Sequence, residues 1–279
     1  MVMPCYNRNP EEKIMSQEES DMFDEYGLPR YFDMQAELAH TKHIGGLEGT
    51  QAMLELCGMG PDKYPLNVGC GAASTNIYIA KTYGVKSVGV DIKPNMVESA
   101  RKRVERHGVA DLIELRTASA MDLPFLDDTF DIVISESVNV FIPDRAKAAT
   151  EYVRVTKPGG YVGINEAILT QEPSPQMADM LDDIIGYEIL PPEYWIGLLE
   201  DAGLTGVTSA SGNISTREEA KSQMGFMGKG DMWYVLKGTI KFLFKDTYTR
   251  GLVKQVGGAN PKEIAGLLGY GVFVGQKKG

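Results

Sequence analysis

The chain of 279 residues has no CxxC pair, and its three cysteines, Cys5, Cys57 and Cys70, are widely scattered. That spacing excludes a disulfide framework, leaves no basis for a structural zinc site, and removes the cysteine loop that a radical iron–sulfur enzyme needs. No uninterrupted apolar run reaches the roughly 18 residues of a membrane-spanning helix, and no basic-then-apolar leader opens the sequence. The expectation is a reduced, cytoplasmic protein with no transmembrane segment. Basic residues are also in deficit: 28 Lys and Arg stand against 38 Asp and Glu, for a formal charge of −10 and a pI near 4.9. Nucleic acid and anionic membrane surfaces are therefore poor partners, because both must be met by clustered cations. What remains is ordinary for a globular protein, with 43% hydrophobic and 24% charged residues.

The first 20 or so residues are polar and aperiodic. From Tyr26 to Gly60 the pattern turns helical, interrupted at Gly45-Gly46 and closed by Gly58 and Gly60-Pro61. Short apolar strands then alternate with amphipathic helices. Strands are predicted at 66–68, 87–92, 112–116, 130–135 and 160–169, with helices near 74–83, 95–106 and 145–155. Single helices between strands imply right-handed crossovers and a mostly parallel sheet with both faces covered. Helices near 175–186 and 191–202, a strand at 204–214, a Met-rich helical insertion at 216–268 and a last strand at 271–276 complete the pattern.

The most informative stretch is LNVGCGAAS, residues 66–74, where an apolar strand runs into Gly69-Cys70-Gly71 and a helix follows at once. Glycines there let the backbone turn sharply and approach a ligand closely. Asp91 ends the next strand, twenty positions after Gly71, where a carboxylate can accept hydrogen bonds from both hydroxyls of a ribose. Ser74 occupies the third glycine position of the dinucleotide fingerprint, and no G-x-x-x-x-G-K-[ST] run occurs. A nucleoside without phosphates fits these features best.

LNVGCG, VGVDIKPNMVESARKR, ASAMDLPFLDDTFDIVIS and EYVRVTKPGGYVGINE occur in that order across about 105 residues. This run resembles the class I S-adenosylmethionine-dependent methyltransferases, in particular the small-molecule group that includes quinone-biosynthesis enzymes. The resemblance implies an α/β fold: a seven-stranded, mostly parallel Rossmann-like sheet with helices on both faces. It implies S-adenosyl-L-methionine as cofactor, S-adenosyl-L-homocysteine as product, and a small-molecule acceptor. Carried over residue by residue, Gly69, Cys70 and Gly71 meet the methionine portion, Asp91 and Ile92 the ribose, and Ser119, Ala120 and Met121 the adenine. Asn67 and Met96 join the cofactor set. The His-x-Gly-Gly turn formed by His43, Gly45 and Gly46 is similar to one that precedes the first strand in related enzymes, near the methionine end. Three positions depart from the family pattern: Asn67 and Ser119 stand where Asp is usual, and Ala73 where Gly is usual. Ala73 is tolerable at the turn if its φ stays negative.

Methyl transfer from a sulfonium needs alignment and water exclusion, and a base only if the acceptor must first lose a proton. Glu136, after the fourth strand, and His43 are the candidate catalytic residues. Glu136 can orient the cofactor, take a proton, attract a cationic acceptor, or simply cap a loop. Glu166, within the fifth strand, and His107, at a helix end, read as structural. His40 and His43 would share a helical face, but no third ligand is near, so no metal is expected. The division expected is an arm with cap helices at 1–60, the cofactor domain at 61–214, a lid at 215–269 over the acceptor, and the last strand at 270–279. The Met-rich, aromatic insertion reads as a lid over a lipophilic acceptor, with ordinary helix core or a homodimer contact as the alternatives. Two rival functions stay open: a nicotinamide-dependent oxidoreductase, and a non-catalytic S-adenosylmethionine-binding protein.

Overall fold

The computed structural model describes residues 35–36, 43–171, 189–213, 231 and 267–279. The helices expected before residue 43 and at 175–186, and almost all of the 215–269 lid, lie outside the described residues. Seven strands form one sheet in the order β3-β2-β1-β4-β5-β7-β6. They are β1 (Pro65–Val68), β2 (Ser87–Asp91), β3 (Ile113–Thr117), β4 (Phe130–Glu136), β5 (Thr156–Leu169), β6 (Leu204–Asn213) and β7 (Leu268–Lys277). The first five pair in parallel; β7 runs antiparallel to both β5 and β6. The α/β class and the Rossmann-like, mostly parallel sheet are as the sequence indicated.

The helices α1 (Gly46–Leu56), α2 (Ser74–Tyr83), α3 (Pro94–Arg106), α4 (Arg145–Val155) and α5 (Pro192–Asp201) cover both faces. Ile132 and Ile134 point to the α1 side with Met53, Leu54 and Ile79, whereas Val133 points to the α4 and α5 side with Tyr152 and Trp195. This alternation follows from the two-residue period of a strand. On α3, Met96, Val97, Ala100 and Val104 form the buried stripe. Pro94 starts that helix with a φ already suited to it, and Gly108, at φ 68°, carries the chain away from it. Asp144 caps α4 by accepting the Lys147 amide at 2.9 Å. Trp195 is fully buried on α5; truncating it to Ala would cost about 3–5 kcal/mol.

One boundary differs instructively. The fifth strand begins at Thr156 rather than Gly160, with a register shift opposite Phe130–Ile132. The Lys157-Pro158-Gly159-Gly160 run looks like a turn, yet it is absorbed as a strand irregularity. A Cβ on Gly160 would lie 2.6 Å from the Asp131 carbonyl oxygen, so close backbone approach explains that glycine. The strand order reverses at β1, which lies between β2 and β4. That reversal opens a crevice at the carboxyl ends of these strands, where open α/β sheets bind ligands.

Candidate functional site

The crevice is a cleft of about 990 Å³, its open mouth included. The turn after β1 forms its floor. Gly69 has φ 69°, and a Cβ there would lie 2.3 Å from a Val138 methyl, so the turn and the loop after β4 touch only because the side chain is missing. Ala73, tolerable at the turn if its φ is negative, sits left-handed at φ 58° as the residue before α2. The condition is not met: the backbone takes a conformation natural to glycine without the glycine, at a cost of about 1–2 kcal/mol.

Asp91 stands at the end of β2 with both oxygens anchored by backbone. Oδ2 accepts the Gly71 amide and Oδ1 the Lys93 amide, each at 3.0 Å. An ionised carboxylate has about four acceptor sites, so each oxygen keeps capacity for a ligand hydroxyl, and the residue lines the cleft. Burial raises its pKa, an effect that the Lys93 and Gly71 amides and the Lys93 charge oppose. Ile92, Met96, Ala118 and Ala120 line the same side.

Opposite lies Glu136, almost fully buried at the end of β4. Its two oxygens accept the hydroxyls of Thr75, in the first turn of α2, and of Thr50, in α1, both at 2.7 Å. Asn67 also lines the cleft, but its amide donates to Asn76 Oδ1 at 2.9 Å. The charge missing from β1 at Asn67 thus reappears on the neighbouring strand. The segment preceding α1 is stitched to the same corner: the Ile44 amide donates to Ser137 Oγ at 2.9 Å, and Asn165 Nδ2 donates to the Ile44 carbonyl at 2.8 Å.

Glu166 shapes the wall beyond Glu136. Its Oε1 accepts the amides of Val138 and Asn139 and the Asn139 side chain, at 2.9 to 3.1 Å. Tyr152 donates to Asn139 Oδ1 at 3.0 Å, completing a buried network. Burial lifts the Glu166 pKa to about 7 even though these donors favour its charged form. The carboxyl is structural, holding the loop that carries Val138, Phe141, Ile142 and Pro143 to the cleft.

The cleft brings together His43, Asn67, Gly69, Cys70, Gly71, Asp91, Ile92, Met96, Ala120 and Glu136. Four candidates are placed otherwise. Gly45 packs on the Tyr270 ring, where a Cβ would lie 2.4 Å from Cγ. The Gly46 carbonyl meets the Thr50 hydroxyl at 3.1 Å. The Ser119 hydroxyl accepts the Met121 amide at 3.2 Å within its own turn, and neither residue is among those lining the cleft. Thr50, Thr75 and Ser137 were missed. Each is a small hydroxyl whose partner lies far along the chain, as with the 86 positions between Thr50 and Glu136, so no local signal marks it.

A nucleoside cofactor fits these residues: glycines where a Cβ would close the floor, a pre-anchored acid on one side, and a second buried acid on the other. A profile of the methyltransferase domain family matches residues 66–164. An uncharacterised protein of Haemophilus influenzae is 31% identical over 175 residues, 61% of this chain and 70% of that protein. Phosphoethanolamine N-methyltransferase 1 of Arabidopsis thaliana is 29% identical over 58% of this chain, which spans only 33% of that enzyme's length. Among solved structures, Haemonchus contortus phosphoethanolamine N-methyltransferase 2 in complex with phosphomonomethylethanolamine and S-adenosylhomocysteine has TM-score 0.68 at 19% identity. That match takes in 95% of this chain and 61% of the nematode chain, and it is a likeness of fold.

Proposed function

The chain belongs to the class I S-adenosylmethionine-dependent methyltransferases, and from that premise we propose that it methylates a small, lipophilic acceptor in the cleft between Asp91 and Glu136. When bound, S-adenosylmethionine supplies a methyl group on a positively charged sulfur, which an acceptor lone pair displaces in line. The protein's part is to hold and align. Asp91 would take the ribose hydroxyls, pre-oriented by the Gly71 and Lys93 amides. Glu136 would face the ammonium of the methionine portion, standing in for the acid that Asn67 lacks. The two threonine hydroxyls satisfy part of its lone-pair capacity and fix its orientation. His43, which also lines the cleft, is the group available to take a proton from a protic acceptor.

The observation that carries this reading is the pair of acids at the ends of the two strands that flank β1, the half-buried Asp91 on β2 and the buried Glu136 on β4, one on each side of the glycine turn. The lipophilic acceptor rests on the wall after β4, which presents Val138, Phe141, Ile142 and Pro143. Lys93 is the one Lys or Arg among the described residues lining the cleft, which favours an uncharged acceptor over a phosphate ester. A small acceptor rather than a nucleic acid agrees with the net charge of −10. Among the described residues no helix is long and apolar enough to cross a membrane; we place the enzyme in the cytoplasm.

The test is calorimetry with S-adenosylhomocysteine, followed by methyl transfer from labelled S-adenosylmethionine to a panel of phenols, amines, thiols and phosphobases. Micromolar binding with turnover on uncharged acceptors is the expected result. Protection by NADH instead of S-adenosylhomocysteine would revive an oxidoreductase. Tight binding with no turnover on any acceptor would leave a non-catalytic binder.

A further inference from the structure

Behind the glycine turn, five charged or titratable side chains that do not line the cleft are linked together. Arg103 is 1% exposed and Asp231 is 3% exposed. Arg103 Nη1 donates to the Ala72 carbonyl at 3.1 Å and to Ser74 Oγ at 2.5 Å, so it grips the two residues flanking the left-handed Ala73. Its Nε donates to Asp231 Oδ2 at 3.1 Å, across 128 positions of sequence. Asp231 also accepts Arg106 Nη2 at 3.2 Å and meets His107 Nε2 at 2.6 Å. On the far side of that ring, Lys81 Nζ lies 2.7 Å from His107 Nδ1. An ammonium can only donate, so Nδ1 accepts and the ring proton sits on Nε2, facing Asp231. Ser74 opens α2 and Lys81 lies in its last turn. Both ends of that helix are thereby tied, through Arg103 and through His107, to one carboxylate.

We propose that Arg103, braced by Asp231, is a positioning residue for the cofactor: it holds the Gly71–Ser74 turn in the left-handed shape that receives the ligand. Buried ion pairs contribute little net stability over apolar residues of equal volume, but they do fix geometry. Here the geometry is one the sequence disfavours, because Ala73 occupies a conformation natural to glycine. Two hydrogen bonds from one guanidinium, on either side of Ala73, supply the restraint that a glycine would make unnecessary. The same turn donates the Gly71 amide to Asp91, so a relaxed turn also releases the ribose acid. Cofactor affinity is in this way coupled to a residue of the 215–269 segment that does not line the cleft.

The inference rests on S-adenosylmethionine being the cofactor, and its test separates the two claims. The full chain is compared as wild type, D231N, R103K, A73G and the double variant A73G/D231N, by calorimetry with S-adenosylhomocysteine, thermal melting and steady-state kinetics. D231N and R103K should weaken S-adenosylhomocysteine binding about 10-fold and raise KM for S-adenosylmethionine equally, with kcat at saturation and acceptor KM within about twofold of wild type. A73G/D231N should return to within about twofold of wild-type affinity, since glycine adopts the turn unaided. R103K keeps the proposal testable should D231N fail to fold. Loss of melting temperature in D231N and R103K with unchanged affinity overturns the proposal, leaving a purely structural cluster. So does failure of A73G to rescue. A wild-type chain that binds no S-adenosylhomocysteine overturns the function itself, whereas wild-type binding matched by D231N and R103K overturns only this clamp.

Discussion

The two sides of the cleft are built by opposite means. On the ribose side, Asp91 is anchored by amides two and twenty positions away, both parts of turns that the strand–turn–helix unit must make. On the methionine side, Glu136 is held by hydroxyls 86 and 61 positions away, on two different helices. The first arrangement comes with the supersecondary unit; the second exists only once α1 and α2 have packed on the sheet. The contrast implies that the ribose acid depends on its own turn and on whatever holds that turn in shape, whereas the methionine side depends directly on how α1 and α2 pack on the sheet and on protonation nearby.

The largest expected effect is a pH dependence on the methionine side. Glu166, which shapes the wall next to Glu136, has a native pKa raised from 4.5 to about 7. Between those values the native state holds a proton that the unfolded state has lost, so stability falls as pH rises through that window. That shift corresponds to about 3 kcal/mol. Glu166→Gln keeps an oxygen acceptor for Val138 and Asn139 and cannot ionise. The stability of E166Q relative to wild type should therefore improve by about 3 kcal/mol between pH 4.5 and pH 8 in urea titrations. A difference that stays constant over that range would contradict the assignment.

The ribose side should respond in affinity rather than in stability. Asp91→Ala is expected to weaken S-adenosylhomocysteine binding by about 2–3 kcal/mol, the loss of two charge-assisted hydrogen bonds. Burial raises the Asp91 pKa, and ribose hydroxyls favour its ionised form. Wild-type affinity should thus decline as pH falls toward that raised value, a decline that D91A should lack. Calorimetry across pH compares the two directly. Glu136→Gln, which retains an oxygen acceptor but not the charge, should cost about 1.5–2 kcal/mol in the same assay. If E136Q binds S-adenosylhomocysteine as wild type does and loses only kcat, the carboxylate serves the acceptor, and the proposed division of the cleft is wrong.

The same contrast explains what the sequence disclosed. The parallel strands, their helices, Gly69, Gly71 and Asp91 were legible because each follows from a run of fewer than about 30 residues with its own periodicity, as a βαβ unit does. Glu136 was legible as a residue but not as a role, since Thr50 and Thr75 carry no mark of their partner. His107 was read as a helix-end residue; it is that, at the end of α3, and also part of the Asp231 cluster. Its second role depends on a residue 124 positions away. Ser119 shows the reverse case. The resemblance assigns it to the adenine, and what its hydroxyl does in the structure is accept the Met121 amide within its own turn.

Ala73 gives the smallest effect and the sharpest comparison of the two sides. Replacing it with glycine in the otherwise native chain removes a left-handed strain of about 1–2 kcal/mol and adds backbone entropy to the unfolded state worth about 0.5–1 kcal/mol. The net gain should be about 1 kcal/mol, or roughly 2 °C in melting temperature for a domain of this size. Affinity for S-adenosylhomocysteine should not change, because Arg103 already holds the turn in shape. A gain in affinity from A73G alone would mean that the turn samples other conformations despite the clamp. The ribose side would then be no better fixed than the methionine side.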